Sequence, residues 1–209
     1  LEDGTYNMQL EPGPNVTESL ARKAFTVTVS GSGSTVAIQG LTADPSTHVF
    51  TISPSTPAIK GIVKNPIDDS AVSGSWVEPT NAITGEFLGQ FGANSGPNGQ
   101  FAMAMADGTY KLSAQVPWNS GYNLAKSAPC TVTVANGAVT TNQGGCVQQD
   151  HSVVLTLRAP NVSFIVADAN GNPLPNANVN IQFGAWNVWS NANSSGRVSL
   201  FIDPAEIHA

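Results

Sequence analysis

The chain repeats its own sequence at a distance of 104 residues. The tetrapeptide Asp-Gly-Thr-Tyr begins at Asp3 and again at Asp107, and residues 20–29 match residues 124–134 with one insertion. A repeat of about one hundred residues has the size of a small autonomous domain and is far longer than the roughly 20 to 50 residues of a solenoid unit. The sequence therefore predicts domain-sized modules in tandem, an organisation more typical of stalks, fibres and binding arrays than of enzymes.

Composition indicates a folded chain with a polar but weakly charged surface. Hydrophobic residues make up 41% of the 209 residues and charged residues only 11%, against about 25% charged in an average soluble domain. The net charge is −6, and the eight Lys and Arg are scattered. Because no basic patch is available to neutralise phosphates, we expect no nucleic-acid partner. No apolar run reaches the roughly 18 residues of a spanning helix, so no membrane insertion is expected.

The two cysteines, Cys130 and Cys146, are predicted to form a disulfide. Both lie in one repeat, Phe25 occupies the position that matches Cys130, and no CxxC pair is present, so a metal site shared by the repeats is not indicated. Two free thiols are the alternative. A disulfide closing this short loop would stabilise the fold by about 3 kcal/mol and would place the chain in an oxidising compartment.

Alternating apolar and polar residues predict an all-β fold. The rhythm is clear in residues 25–29, 130–134, 153–157, 179–183 and 198–202, and it is typical of antiparallel strands with one buried face. The 20 Gly and 14 Pro cluster mainly between these runs, as expected for turns in a β-sandwich. One or two helical turns are predicted over residues 18–24, because Thr17 is a suitable cap.

The phase of the repeat divides the chain into one complete module and two halves. Residues 56–63 match residues 159–166, so a module begins near Pro57 and again near Pro160. Residues 57–159 are then a complete β-sandwich module, and residues 1–56 and 160–209 are the second and first halves of another. The halves either join within one chain, pair with a neighbouring chain by strand complementation, or belong to a longer array.

Five short motifs, in order, resemble the carboxypeptidase-regulatory-like and Cna-B-type modules of bacterial surface proteins. Residues 168–179 resemble the opening hairpin of those modules, and residues 99–101 resemble their G-x-F step. Residues 107–112, 116–122 and 131–134 resemble the G-x-Y-x-L strand, the A-P-x-G-Y loop and the strand that follows. The resemblance covers most of residues 57–209, and the first 56 residues through the repeat. It implies tandem Ig-like or prealbumin-like antiparallel sandwiches.

Cna-B-type modules often carry a Lys–Asn isopeptide bond promoted by a buried acid, and this chain departs from that pattern. Lys64 lies near the family's lysine position, but Gln115 stands where the resemblance places the catalytic Glu, and Arg158 stands near the Asn. A neutral Gln cannot transfer the proton that amide formation requires. We therefore expect no such crosslink.

Catalytic and metal-binding patterns are weak. His48 and His151 occupy matching positions in polar turns, and Glu78 and Glu86 are interpreted as surface carboxylates rather than a catalytic pair. The string Asp168-x-Asn170-x-Asn172 resembles the start of a calcium loop, but Val179 occupies the position of its bidentate Glu. We expect no enzyme activity and no cofactor, with calcium kept as an alternative.

Aromatic residues are the best candidates for ligand binding. Trp118, Trp186 and Trp189 lie in Asn- and Gly-containing segments, and exposed indoles can stack on sugar rings. In a regular strand Trp186 and Trp189 would point to opposite faces. Packing in the core or an interface is the alternative for all three, and Trp76 is predicted to belong to the core.

The sequons at Asn15, Asn161 and Asn193 are candidate glycosylation sites. The sequence thus favours a non-enzymatic structural or adhesive segment of an exported stalk or filament, located outside the cell or at its surface. Its expected partners are copies of itself, adjacent modules or surface glycans. The alternative is a carbohydrate-binding accessory module of a secreted multidomain hydrolase.

Overall fold

The computed structural model confirms the all-β class. It describes residues 1–11, 20–33, 35–118, 120–143, 145–183 and 186–204. Within these ranges the secondary-structure elements are fifteen β-strands and one 3-10 helix, Gly89–Phe91. Every sheet is built from antiparallel pairs except for one parallel contact in the central region.

The central region forms two sheets that enclose one core. Its strands are β4 (Ile59–Lys64), β5 (Trp76–Asn81), β6 (Ala93–Asn94), β7 (Gln100–Met103), β8 (Gly108–Ala114), β9 (Cys130–Ala135), β10 (Ala138–Gln143) and β11 (Val153–Thr156). The first sheet has the order β10-β9-β8-β5-β6, and the second has the order β11-β4-β7. The parallel contact joins β11 to β4. This is the arrangement of a β-sandwich.

Buried side chains from both sheets fill the space between the layers. Ile59 and Phe101 of the smaller sheet belong to the same cluster as Val77, Leu112 and Val132 of the larger one. On β9 the buried residues Cys130, Val132 and Val134 alternate with more exposed ones, as the two-residue period of a strand requires. The alternation read from the sequence therefore corresponds to the inner faces of the sandwich.

One glycine is required by close packing within this core. Gly61 on β4 pairs with Phe101 on β7, and a Cβ at Gly61 would collide with the Phe101 ring and with the carbonyl of Val153. In the C-terminal region the equivalent pair is Phe164 and Val198. There the aromatic residue lies on β12, the strand that matches β4, and its ring is 36% exposed.

The N-terminal and C-terminal regions form separate sheets. Strands β1 (Gly4–Leu10), β2 (Lys23–Ser30) and β3 (Thr35–Ile38) make one antiparallel sheet in chain order, and β12 (Val162–Ile165), β13 (Asn178–Phe183), β14 (Trp186–Asn191) and β15 (Arg197–Leu200) make two pairs. The C-terminal pairs are β12 with β15 and β13 with β14. Within the described residues, no strand of 1–56 pairs with a strand of 160–209.

Equivalent positions of the two repeats make the same hydrogen bonds. Tyr6 donates its hydroxyl to the Glu2 carbonyl at 2.7 Å, and Tyr110 donates to the Ala106 carbonyl at 2.9 Å. The carboxylate of Asp3 accepts two backbone N–H groups of the turn after β2, as Asp107 does for the turn after β9. These shared details support the proposed repeat, while the division at residues 57 and 160 stays a prediction.

The same correspondence holds at two glycines with left-handed backbones. Gly99 has φ +70°, and a Cβ there would lie 2.8 Å from the Val63 carbonyl oxygen. Gly196 has φ +72°, and its Cβ would lie 2.9 Å from the Val166 carbonyl oxygen. Each position requires glycine for both its backbone conformation and the close approach of a neighbouring strand.

The predicted helix over residues 18–24 is wrong in its described part. Ala21 forms an isolated bridge with Ser55, and Lys23 begins β2, where it pairs with Leu10. Pairing with β1 overrides the local helical preference because each strand needs a partner for its backbone groups. Residues 18 and 19 lie outside the described residues.

The predicted disulfide is present. Cys130 and Cys146 are bonded, with a Cα–Cα distance of 6.0 Å, and Cys130 is buried in the central core. The bond ties β9 to the segment that precedes β11. Disulfides are typical of compartments more oxidising than the cytosol.

We expect the double variant Cys130→Ser, Cys146→Ser to lose about 3 kcal/mol of unfolding free energy, because the short closed loop no longer restricts the unfolded chain. Urea denaturation at neutral pH measures the difference. Reductant should destabilise the parent chain by a similar amount and leave the variant unchanged. Equal stability of the oxidised parent and the variant would show that the crosslink does not contribute.

Candidate functional site

A cleft of about 610 Å³ lies between the central region and strands β14 and β15. The aromatic residues that line it are Trp76, Trp118, Tyr122, Trp189 and Phe201, and the charged ones are Glu78, Lys126, Arg158 and Arg197. Such a combination of aromatic surface with a few polar groups is characteristic of small-molecule sites.

The outer face of β5 forms one side of the cleft. Val77 and Pro79 are buried, so the alternation of the strand places Trp76 and Glu78 on the opposite face. The prediction that Trp76 belongs to the core is therefore wrong. Its indole is half-buried, and the guanidinium of Arg22 lies 4.7 Å from the ring centre.

Trp118 projects from the loop that follows β8. The Pro117 carbonyl accepts a hydrogen bond from the Ser120 N–H at 3.3 Å, which forms a turn around Trp118. Because the residue lies in a turn rather than in a sheet, its side chain does not reach the core and is 66% exposed. The indole of Trp118 is thus accessible from the cleft, and its role in ligand binding stays a prediction.

Trp189 lines the cleft from β14. Val188 packs against the small apolar cluster of the C-terminal region, and alternation along the strand turns Trp189 to the other face. Trp189 is 59% exposed. The side chain of Trp186 lies outside the described residues, so the sequence-based hypothesis for that residue stays a prediction.

Glu78 is held by two partners inside the cleft. Gln115 donates a side-chain hydrogen bond of 3.1 Å to one carboxylate oxygen, and Lys126 forms an ion pair with the other. Both oxygens are therefore occupied and the negative charge is compensated. Glu86, which the sequence analysis considered beside Glu78, does not line the cleft.

Arg158 connects the central region to the C-terminal strands. Its Nε donates to the Lys126 carbonyl at 2.8 Å, and its guanidinium lies 4.3 Å from the centre of the Phe201 ring. A second polar contact across the junction joins the Ser199 hydroxyl to the side-chain oxygen of Asn123. These contacts bring the two walls of the cleft together.

Three residues were considered above for an isopeptide crosslink, and each of them makes a different contact. Lys64 forms an ion pair with Asp69 at 2.6 Å. Gln115 contacts Glu78, and Arg158 contacts Phe201. No Asn side chain is recorded as a partner of the Lys64 ammonium group within the described residues.

The two matched histidines lie in similar exposed turns. His48 and His151 both have left-handed backbones, with φ of 56° and 63°. In the turn before His48, hydrogen bonds from Ser46 and Thr47 lower the Asp44 pKa to about 2. Hydrogen bonds from Ser152 likewise lower the Asp150 pKa. The carboxylates stabilise the turns.

The Asp168 carboxylate also organises a turn. It accepts backbone N–H groups from Asn170 at 2.9 Å and Asn172 at 2.8 Å, and the Asn172 side chain at 3.0 Å. These hydrogen bonds, led by that of the Asn172 side chain, lower the Asp168 pKa. The Asp-Asn string thus satisfies the backbone of a hairpin loop.

Two of the three sequon asparagines use their side chains to bind backbone groups. Asn161 donates to the Ile202 carbonyl at 2.8 Å and accepts the Ile202 N–H at 2.9 Å. The Asn193 oxygen accepts the backbone N–H groups of Ser195 and Arg197. Asn15 lies outside the described residues.

The described ranges contain neither a cluster of metal-ligating side chains nor a membrane-spanning helix. No group of three His, Cys, Asp or Glu residues is arranged to hold a metal ion there. No helix in that part of the chain is long and apolar enough to cross a membrane.

Comparisons with known proteins give little further information. No protein-family model matches the chain, and no curated protein matches it. Among solved structures, the Bacillus anthracis TIE protein is similar at 16% identity and a TM-score of 0.31. The match covers 95% of this chain and 35% of that one, so the chain spans about a third of its length.

We expect Ser46→Ala to raise the Asp44 pKa from about 2 toward 3.8, because the Ser46 hydroxyl is the largest cause of the shift. A carboxyl pKa that is lowered in the folded state contributes stability above pH 3.8, and this contribution is lost as the pH falls through about 2. Carbon-13 NMR of the carboxyl groups measures the titration. Ser152→Ala is the matched control and should leave Asp44 unchanged. An unaltered Asp44 pKa in Ser46→Ala would disprove the assignment.

Proposed function

We propose that the chain is a non-enzymatic structural and adhesive segment of an exported cell-surface stalk or extracellular filament, assembled by strand complementation. The main support is that the two terminal regions contain, between them, counterparts of the strands that form the central sandwich, with the exception of β11. The motif order that resembles bacterial surface modules agrees with such a role.

The central sandwich supplies the template for assembly. In its larger sheet β5 pairs with β8, which joins β5-β6 to β8-β9-β10. The repeat makes β13-β14 equivalent to β5-β6, and β1-β2-β3 equivalent to β8-β9-β10. Pairing β13 with β1 would therefore complete a five-stranded sheet with the order of the central one.

The register of β5 with β8 predicts the register of β13 with β1. Thr80 on β5 is opposite Lys111 on β8. Their counterparts are Gln182 and Asn7, which places Ile181 opposite Met8. Within the described residues, β1 pairs only with β2, and β13 pairs only with β14. Each strand thus has one edge available to a second chain, where backbone hydrogen bonds would supply the contact.

Exposure at matched positions supports the same assembly. Leu112 on β8 is fully buried, whereas Met8, its counterpart on β1, is 47% exposed. Ile59 on β4 is also buried, whereas Val162 on β12 is 36% exposed. Covering such apolar side chains with a second sheet is favourable by about 25 cal/mol per Å².

The chemistry of the surface is consistent with export. The Cys130–Cys146 disulfide is suited to an oxidising environment. With charged residues at 11% of the chain, most of the polar surface is uncharged. Antiparallel sandwiches placed end to end would transmit tension along their strands, which is the mechanical function that we propose.

The cleft favours a second candidate, a carbohydrate-binding accessory module of a secreted multidomain hydrolase. Trp118 and Trp189 expose their indoles to the same space, and indoles can stack on the apolar faces of sugars. In a stalk segment the same surface would provide adhesion. In both candidate functions this chain is non-catalytic. The functions differ in the kind of larger protein to which the chain would belong.

We expect the double variant Asn7→Cys, Gln182→Cys to form covalent head-to-tail oligomers under mild oxidation, because the predicted register places the two positions directly opposite each other. Non-reducing electrophoresis and sedimentation measure their size. The control is Asn7→Cys, Asn180→Cys, which is displaced by two residues on the same face. Diagonal Cβ atoms lie about 7 Å apart, too far for a disulfide.

Three results distinguish the possibilities. Oligomers in the first variant and their absence in the control would support complementation in the predicted register. A crosslinked monomer would show that the halves close within one chain. The absence of any crosslink at high protein concentration would reject assembly through these edges.

A further inference from the structure

Residues 50–53 match β11 in sequence but have no strand partner. The offset that relates His48 to His151 places them at residues 153–156, which are the whole of β11. In the central sandwich β11 pairs in parallel with β4. By contrast, no backbone hydrogen bond within the described residues involves residues 50–53. These residues therefore have the sequence of a strand without the ladder of one.

The turn that leads into residues 50–53 is built like the turn that leads into β11. The Asp44 N–H donates to the Val49 carbonyl at 3.0 Å, and the Gln148 N–H donates to the Ser152 carbonyl at 2.8 Å. Val49 and Ser152 occupy equivalent positions, directly before residues 50–53 and before β11. The chain therefore enters both segments through the same hydrogen-bonded turn.

The end of the segment is also fixed in the same way. Ser55 forms an isolated antiparallel bridge with Ala21, and Arg158 forms the equivalent bridge with Ala125. Each bridge holds the chain two residues beyond the strand position, beside the segment that leads into β2 or β9. Because both ends resemble those of β11, what residues 50–53 lack within the described residues is the partner strand.

The equivalent partner strand is β12. It matches β4 in sequence and pairs with β15 as β4 pairs with β7. Val166, which follows β12, donates its N–H to the Gly196 carbonyl at 2.9 Å, as Val63 does to the Gly99 carbonyl. Since successive residues direct their backbone groups to opposite edges, the N–H and C=O of Ile165 face the other edge of β12. That edge has no strand partner within the described residues.

Apolar side chains on both segments are incompletely covered. Phe50 and Ile52 are only half-buried, whereas their counterparts on β11, Val153 and Leu155, are buried in the central core. On β12, Phe164 is 36% exposed. Bringing the two segments into one sheet would remove apolar surface from water, which is favourable by about 25 cal/mol per Å².

We propose that residues 50–53 of one chain add as a parallel edge strand to β12 of a second copy. The resulting sheet, in the order 50–53, β12, β15, would reproduce the central order β11-β4-β7. The central register has Val154 opposite Ile62, which places Thr51 opposite Ile165. The proposal rests on the proposed function and deepens it, because it supplies the second sheet of the sandwich whose first sheet joins β1 to β13.

The register requires a local adjustment at one position. A Cβ at Gly61 would collide with the Val153 carbonyl, and Phe164, the counterpart of Gly61, has a Cβ. The Phe50 carbonyl must therefore rotate or shift outward at that position. For this reason the experiment uses the next pair along the strands.

The experiment is oxidative crosslinking of the full chain carrying Thr51→Cys and Ile165→Cys. Neighbouring strands lie about 4.8 Å apart, a Cα separation that a disulfide spans. We expect covalent oligomers on non-reducing electrophoresis. The control is Thr51→Cys with Ser163→Cys, which moves one cysteine two residues along the same face of β12. The Cα separation then exceeds about 7 Å, so the control should not crosslink.

A proline substitution tests the backbone ladder directly. On β11 the Leu157 N–H donates to the Lys64 carbonyl at 2.9 Å. The N–H of Leu155, two residues earlier, faces the same edge, and so does that of its counterpart Ile52. Ile52→Pro removes this donor and should weaken self-association by about tenfold, measured by sedimentation.

Thr51→Pro is the matched control. The N–H of its counterpart, Val154, donates away from β4 to the Cys146 carbonyl at 2.7 Å. Proline is tolerated on an edge strand when its nitrogen faces outward, so Thr51→Pro should associate as the parent chain does. Circular dichroism checks that both variants remain folded. Equal loss of association in the two variants would reject the proposed ladder.

The outcomes separate this proposal from the proposed function. Oligomers of the Asn7→Cys, Gln182→Cys variant without crosslinking between positions 51 and 165 would overturn the proposal and retain assembly through β1 and β13. Crosslinked oligomers through positions 51 and 165 alone would support addition to β12 and reject pairing of β1 with β13. A monomer crosslinked between positions 51 and 165 would overturn the assignment of a second copy as the partner.

Discussion

Burial of one apolar face of each β-sheet is the constraint on which the rest of this structure depends. The central region satisfies it internally, because its five-stranded and three-stranded sheets enclose a common core. Around that core the turns, the left-handed glycines and the disulfide follow as local requirements. The sheets on either side contain similar strands but have no comparable internal partner in the described residues. Their remaining apolar surface, at Met8 and Val162, is the physical basis for the assembly that we propose.

The cleft is a consequence of joining regions with outward-facing polar and aromatic residues. The strand that contributes Val77 to the core necessarily presents Trp76 and Glu78 on its other face. A second wall arises where β14 and β15 lie beside that face, connected through Arg158. The core and the lining of the cleft therefore use opposite faces of β5, so that the polar groups of the cleft do not weaken the core.

Much of the local structure could be predicted from the sequence, and the errors have a common cause. Alternation predicted the all-β class, and the cysteine pair predicted the disulfide. The helix proposed over residues 18–24 and the buried position of Trp76 were wrong. The conformation of residues 18–24 depends on pairing with another strand, and the burial of Trp76 depends on which face of its strand meets the core. Neither can be predicted from a short stretch of sequence. The charged partner of Glu78 was also missed, because Lys126 is 48 residues away in the chain.

The sequence by itself determined the strand periodicity, the turn residues and the cysteine pair, because each depends on the backbone preferences or composition of nearby residues. It also indicated the duplication, since matched tetrapeptides and strands are visible without coordinates. Only the tertiary structure decided which strands are neighbours, which edges stay unpaired and which side chains line one cleft. These depend on contacts between segments far apart in the chain, where the covering of apolar faces outweighs local preference.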